Sequence, residues 1–243
     1  MQYHANAYRM LLDIAEHFGI YVSQINFHHV IDFFETNFKI MFVYFESESM
    51  YKWFPSKKPE IKYNLTRQNA LKLVDNTFCS VCSGMTIPDA ETGKYVVYIN
   101  QDVNKSRVMF TILHELTHIY CHLMDSVYEK VLVSKTTSTY SDSYPPEIAP
   151  LEDEANAIAS ILFLNDDHDQ LLKYIKSGIT FEELKEKTQM SQTALHNRLM
   201  NFLMYNCNCR EYYALNIVMG YRNDEDWSII TLQQFEREFR FAA

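Results

Sequence analysis

Glycine is scarce in this chain, with 5 in 243 residues. No apolar run approaches the ~20 residues that a bilayer-spanning helix needs. The first shortage argues against a loop-dominated or disordered protein. A hydrophobic share of 47% with 14% aromatics points instead to a compact, helix-rich globular chain. The second removes membrane-spanning helices from the expectation. Met1-Gln2-Tyr3-His4-Ala5-Asn6 has neither the basic region nor the apolar core of a signal peptide, so a cytoplasmic location is expected. Cysteine does not form a framework either: the count is 5, and an odd number without a secretion signal argues against paired disulfides. Cys79-x-x-Cys82 and Cys207-x-Cys209 could in principle form a four-thiolate zinc site. Cys79 and Cys82 lie in an apolar stretch, however, where buried free thiols are the commoner outcome. Cations are in deficit, with 22 Lys and Arg against 31 Asp and Glu and a formal net charge of −9. That balance disfavours nucleic-acid phosphates and anionic membranes and would suit a basic protein partner.

Periodicity organises what is there. Ala7, Met10, Leu11, Ile14, Ala15 and Phe18 repeat at helical spacing over about 5–18 and stop near Gly19, and a second helix is predicted over about 24–36. His28 and His29 there read as surface or core-edge residues. Lys39 to Phe45 is a short apolar run of strand type. Lys57-Lys58-Pro59 marks a loop, and Asn69 to Val74 reads as helical. The turn chemistry of Pro88 to Gly93 precedes a strong strand candidate at Tyr95 to Ile99. Residues 134–150, rich in Ser, Thr and Pro, form a loop long enough to act as a lid. Within it Tyr140 or Tyr144 could offer a hydroxyl to an oxyanion. Gln170 to Ile175 reads as a short helix ended by Gly178. Thr180 and Ser191 read as N-caps of two short helices, Thr180 with Glu183 as a capping box. In the tail, Tyr212 to Val218 and Trp227 to Leu232 look strand-like.

His114-Glu115-Leu116-Thr117-His118 carries the most chemistry. Two histidines at i and i+4 stand one above the other on a helix face, so both imidazoles can reach one metal ion. Glu115 is turned roughly 100° from His114, off the ligand face, where it can take a proton from a metal-bound water. Val108, Met109, Ile112, Leu113, Leu116, Ile119 and Tyr120 make the helix largely apolar. Histidines and a carboxylate buried there without a compensating metal or partner would cost free energy. A catalytic zinc needs a third protein ligand and leaves its fourth position open. Glu152, at the start of a second amphipathic stretch, shares a face with Asn156 at i+4. Glu152 is therefore placed to bind the metal, with Asn156 free to hydrogen-bond a histidine ligand. Glu154 points to a different face, where solvent or the helix N-terminus is its expected partner.

His114-Glu-Leu-Thr-His-Ile-Tyr-Cys-His122 followed by Glu152-Asp-Glu-Ala-Asn-Ala-Ile-Ala159 resembles the ImmA/IrrE metallopeptidases, whose pattern is H-E-L-G-H and then E-x-E-A-N-x-F-A-x-x-L-L. The resemblance implies His114, His118 and Glu152 as ligands of one zinc, with Glu115 as general base. Glu152 is preferred to Glu154 because its spacing to Asn156 is similar to the Glu-x-x-x-Asp of other zinc peptidases. Thr117 replaces the family's glycine, Ile158 its aromatic, and Asn165 its proline. The family also carries a helix-turn-helix-like segment where Thr180 and Ser191 cap their helices.

The expected fold is α+β and mostly helical, a zincin-like peptidase core with a small sheet and a helix-turn-helix-like segment. Residues 1–165 are read as the metallopeptidase region with N-terminal helices, 166–205 as the helix-turn-helix-like segment, and 206–243 carry no assignment. The expected function is a zinc-dependent endopeptidase. The resemblance suggests a protein substrate, a helix-turn-helix transcriptional repressor of a mobile element, prophage or stress regulon. One rival is a DNA-binding regulator with a structural zinc. Residues 180–203 hold Glu182, Glu183 and Glu186 against Lys185, Lys187 and Arg198, and a neutral segment is poorly suited to phosphate contacts. A broad-specificity degradative peptidase is the other.

Overall fold

A mixed sheet backs the motif helix in the computed structural model, which describes residues 2–89, 91–123, 132–135, 145–164 and 169–239. Helices α1 (Gln2–Phe18) and α2 (Phe27–Asn37) come first, the second capped by the side chain of Asn26. Strand β1 (Ile40–Ser47) follows, then the short helix α3 (Ser49–Trp53), β2 (Asn69–Val74) and α4 (Asn76–Val81). Strands β3 (Cys82–Asp89) and β4 (Lys94–Asn100) form a hairpin before α5 (Lys105–His118), which runs on into a π-helical turn at Ile119–Leu123. Strand β5 (Leu132–Lys135) and helix α6 (Ala149–Leu164) complete the region. The sheet order is β2-β1-β4-β3-β5, with β1 parallel to β2 and β4, and β3 antiparallel to β4 and β5. The fold is α+β and mostly helical, as expected.

Strand β1 is buried on both faces, which explains its near-continuous apolar run. Phe42 and Tyr44 join Val97 and Ile99 of β4 against α1, α2, α5 and α6. Phe45 turns to the other face, where it packs with Cys79 and Cys82. Burial pushes the Cys79 thiol up to about 11 and the Cys82 thiol up to about 12, so both behave as small apolar groups. Gly93 closes the β3–β4 turn at φ +63°, a conformation that glycine adopts without penalty.

Two local expectations are corrected here. Asn69 to Val74 is a strand, β2, because its backbone groups pair with β1 in parallel register from Phe42↔Asn69 to Ser47↔Val74. A short apolar run cannot be separated from a helix by periodicity alone. The tail segments are helices, α10 (Glu211–Arg222) and α11 (Asp226–Phe239). Aromatic and β-branched content suggested strands, yet Ala214, Ile217, Val218 and Tyr221 are the buried residues, and that is a helical stripe.

Helices α7 (Asp169–Lys176), α8 (Phe181–Thr188) and α9 (Gln192–Asn201) precede α10. The caps at Thr180 and Ser191 form as expected, Thr180 with Glu183 in a reciprocal capping box. These helices bury a second apolar cluster running from Leu164 to Leu232, separate from the cluster of residues 7–162. Among the described residues, no helix is long and apolar enough to cross a membrane.

Candidate metal centre

Helix α5 starts where the Asn104 side chain accepts from the backbone N–H of Arg107 at 2.9 Å. Val108, Ile112, Leu113 and Leu116 are fully buried, and this anchors the helix between sheet and α6. The histidines point to α6 and Glu115 points to the sheet. His114 Nε2 and His118 Nε2 stand 3.0 Å apart. Glu152, in the first turn of α6, places Oε2 3.2 Å from His114 Nε2 and Oε1 3.2 Å from His118 Nε2. All three are buried, at 3%, 0% and 1% exposure. Among the described residues they are the one group of three or more such side chains that could hold a metal ion.

The donor set fits zinc. Ligand atoms about 2.0–2.2 Å from a tetrahedral zinc stand roughly 3.3 Å from one another, close to the separations found. Burial pushes His118 down to about 4, against the opposing pull of the Glu152 carboxylate beside it. For His114 burial acts in the same direction, but the hydrogen bond and charge of Glu152 outweigh it and the net shift is upward. Burial works against the Glu152 carboxylate as well, yet the two histidines beside it hold it down at about 2. An ionised carboxylate and imidazole lone pairs facing one buried point are what a divalent cation neutralises.

Glu115 is fully buried. Thr86 of β3 donates its hydroxyl to Glu115 Oε2 at 2.6 Å. Gly84, two residues earlier on the same strand face, lets the helix come close: a Cβ there would lie 2.7 Å from Glu115 Oε1 and 2.5 Å from the Thr111 methyl. Gly84 and Thr86 were not singled out from the sequence. Their signal is two small side chains at i and i+2 in a strand, the face on which another element approaches closely. Strand β4, which leads into the helix, is interior to the sheet. The strand beside Glu115 is β3, whose outer side already pairs with β5.

Other expectations resolve unevenly. Asn156 is exposed, so it does not serve as the partner of a histidine ligand. Glu154, expected on a solvated face, is buried at 9% exposure with Oε2 3.2 Å from His122 Nε2. Helix α6 buries on several sides at once, so more than its Glu152 face is enclosed. Thr117, where the family has glycine, is buried and donates its hydroxyl to the Leu113 carbonyl at 2.9 Å, which satisfies it inside the helix. Ile158 is fully buried in the main core. Tyr140, Tyr144 and Asn165 lie outside the described residues.

No curated protein and no solved structure matches the chain. Residues 83–200 match the family model of the IrrE N-terminal-like domain, Peptidase_M78. The match starts one residue before Gly84, spans both metal-facing helices and ends within α9. The match covers just under half of the chain, and the family is the ImmA/IrrE family that the two motifs resemble.

Proposed function

We propose that the protein is a zinc-dependent endopeptidase in which His114, His118 and Glu152 hold one zinc ion and Glu115 is the general base. One observation carries this reading: three buried donors from two helices converge on a point while the intervening Glu115 is held off their face by Thr86. When bound, zinc supplies Lewis acidity and lowers the pKa of a coordinated water to about 7. The chain's own residues do the rest. His114 and His118 present Nε2 lone pairs from successive turns of α5. Glu152 contributes the negative charge that balances the cation. The Glu115 carboxylate accepts the proton of the attacking water and later returns it to the leaving amine. The Thr86 hydroxyl fixes the rotamer of that carboxylate through Oε2.

The substrate in this reading is a helix-turn-helix transcriptional repressor of a mobile element, prophage or stress regulon. Its support is the likeness of both motifs to the ImmA/IrrE pattern. Helices α8 and α9 serve packing or substrate recognition in this account and not operator binding. Arg198, the only Lys or Arg of α9, is fully buried, and it therefore offers no contact to a phosphate backbone.

Glu115→Gln tests the reading. It keeps size and polarity but cannot take a proton, and a lost proton transfer costs roughly 10²–10⁴-fold in rate. The variant is expected to retain zinc and fold, and to lose nearly all cleavage of a co-expressed repressor. Cleavage at the wild-type rate would remove Glu115 as the base. Digestion of casein by the wild type as readily as of the repressor would replace site-specific cleavage with a degradative role.

A further inference from the structure

His118 does not end at the metal-facing edge of its ring. Its other nitrogen, Nδ1, lies 2.8 Å from Nδ1 of His122. His122 Nε2 lies 3.2 Å from Glu154 Oε2, and Glu154 Oε1 accepts from Asn6 Nδ2 at 2.7 Å. With Glu154 ionised and His122 neutral, one arrangement of hydrogens satisfies the whole chain of contacts. Asn6 and His122 must both donate to the carboxylate, which has no hydrogen when ionised. With its hydrogen on Nε2, neutral His122 has a lone pair at Nδ1. His118 must then donate from Nδ1, and that leaves its Nε2 as a lone pair aimed at His114 and Glu152.

We propose that Glu154 and His122, anchored by Asn6, are positioning residues that lock His118 as an Nε2 metal ligand; this rests on the zinc-site reading above. A ligating histidine usually donates its second N–H to a carboxylate, a carbonyl or water, which sets its tautomer and raises its basicity. Here an imidazole stands between the ligand and the carboxylate and passes on the same polarisation.

The backbone makes this placement possible. Each residue of an α-helix turns about 100°, so His122 at i+8 would drift about 80° from the face of His114. The helix widens into a π turn at Ile119–Leu123, and a turn with more residues lessens that drift. Such insertions gather at functional sites. Helix α1 braces the turn: Tyr120 donates its hydroxyl to Asp13, and Arg9 lies 5.5 Å from the centre of the Tyr120 ring. Asn6, Arg9 and Asp13 all precede the region that matches the family model. The N-terminal helix is therefore part of the metal centre rather than an appendage to it.

The test is zinc affinity of the full chain, measured by competition with a chromophoric chelator, together with the visible spectrum of the cobalt(II)-loaded protein. Failure of the wild type to bind zinc would defeat the zinc-site reading itself. Given wild-type binding, His122→Phe is expected to weaken zinc about 10–100-fold and to change the cobalt bands. His122→Gln, which offers an oxygen to His118 Nδ1 and an amide to Glu154, is expected to recover most of both. Glu154→Gln can accept only one of its two hydrogen bonds, so a smaller loss in the same direction is expected, and it serves if His122→Phe fails to fold. Zinc affinity of folded His122→Phe within twofold of wild type would overturn the proposal. So would an unchanged affinity and cobalt spectrum in Glu154→Gln.

Discussion

Two helix pairs in this molecule carry recognisable motifs, and they use them differently. In α5 and α6 the polar side chains turn inward and converge. His114, His118, Glu152, Glu115, Thr86, His122 and Glu154 are buried or nearly so, and each meets a polar partner. In α8 and α9 most polar residues cap helices or face solvent, Thr188 and Arg198 being buried, and the interior otherwise receives Phe181, Leu184, Leu195 and Leu199. A spacing pattern becomes a reaction centre only where the fold brings its polar groups to one point. Where the fold turns them outward, the same kind of pattern describes a way of packing.

Removing Glu152 should break the first pair most completely. Glu152→Ala deletes a ligand and the charge that balances the cation, whereas Glu154→Ala removes only support, for which a 10–100-fold loss of affinity is typical. Metal analysis after dialysis should show the first variant empty and the second still partly loaded. Equal retention in the two would contradict the assignment.

Gly84→Ala comes next. Its Cβ would overlap the Thr111 methyl and the Glu115 carboxylate, and overpacking of this kind costs about 1–3 kcal/mol. The melting temperature should fall and cleavage should fall further than stability explains, because Glu115 is what the new methyl displaces. A variant with unchanged stability and activity would show that α5 does not need its close approach to β3.

A gentler change is Thr86→Val, which keeps the shape and removes the hydroxyl given to Glu115. The loss of one buried hydrogen bond to a charged group costs roughly 1.5–3 kcal/mol. Kinetics should show a reduced turnover with zinc content unaltered. If turnover stays at the wild-type value, Thr86 has no part in placing the carboxylate.

The smallest effect is expected in the second pair. Arg198→Ala should lower stability, because a fully buried side chain is truncated, and should leave DNA affinity where it was, at the non-specific level. Gel-shift binding at nanomolar protein and near-physiological salt, abolished by this substitution, would reverse the contrast between the two pairs.

The convergence of His114, His118 and Glu152 was legible because it follows local rules. His114 and His118 are separated by one helical turn, and Glu152 opens the next long amphipathic helix. Helix caps at Thr180 and Ser191 are local too. What escaped were contacts made across long stretches of chain. Gly84 and Thr86 meet Glu115 about thirty residues away, and Asn6 meets Glu154 across 148. No window of sequence contains both partners. Asn156 was given the supporting role because its i+4 spacing from Glu152 is visible locally, while the contacts from His118 through His122 to Glu154 arise only through the fold. Strand β2 misled for the same reason, since its identity comes from the backbone of β1. In α10 and α11 the buried stripe was present in the sequence, but aromatic and β-branched content masked it.

The most direct measurement is the zinc-to-protein ratio of the purified full chain, taken beside those of His114→Ala and His118→Ala. One zinc per wild-type chain is expected, with neither variant retaining it after dialysis. A wild type without zinc, or zinc that survives both substitutions, would contradict the centre described here.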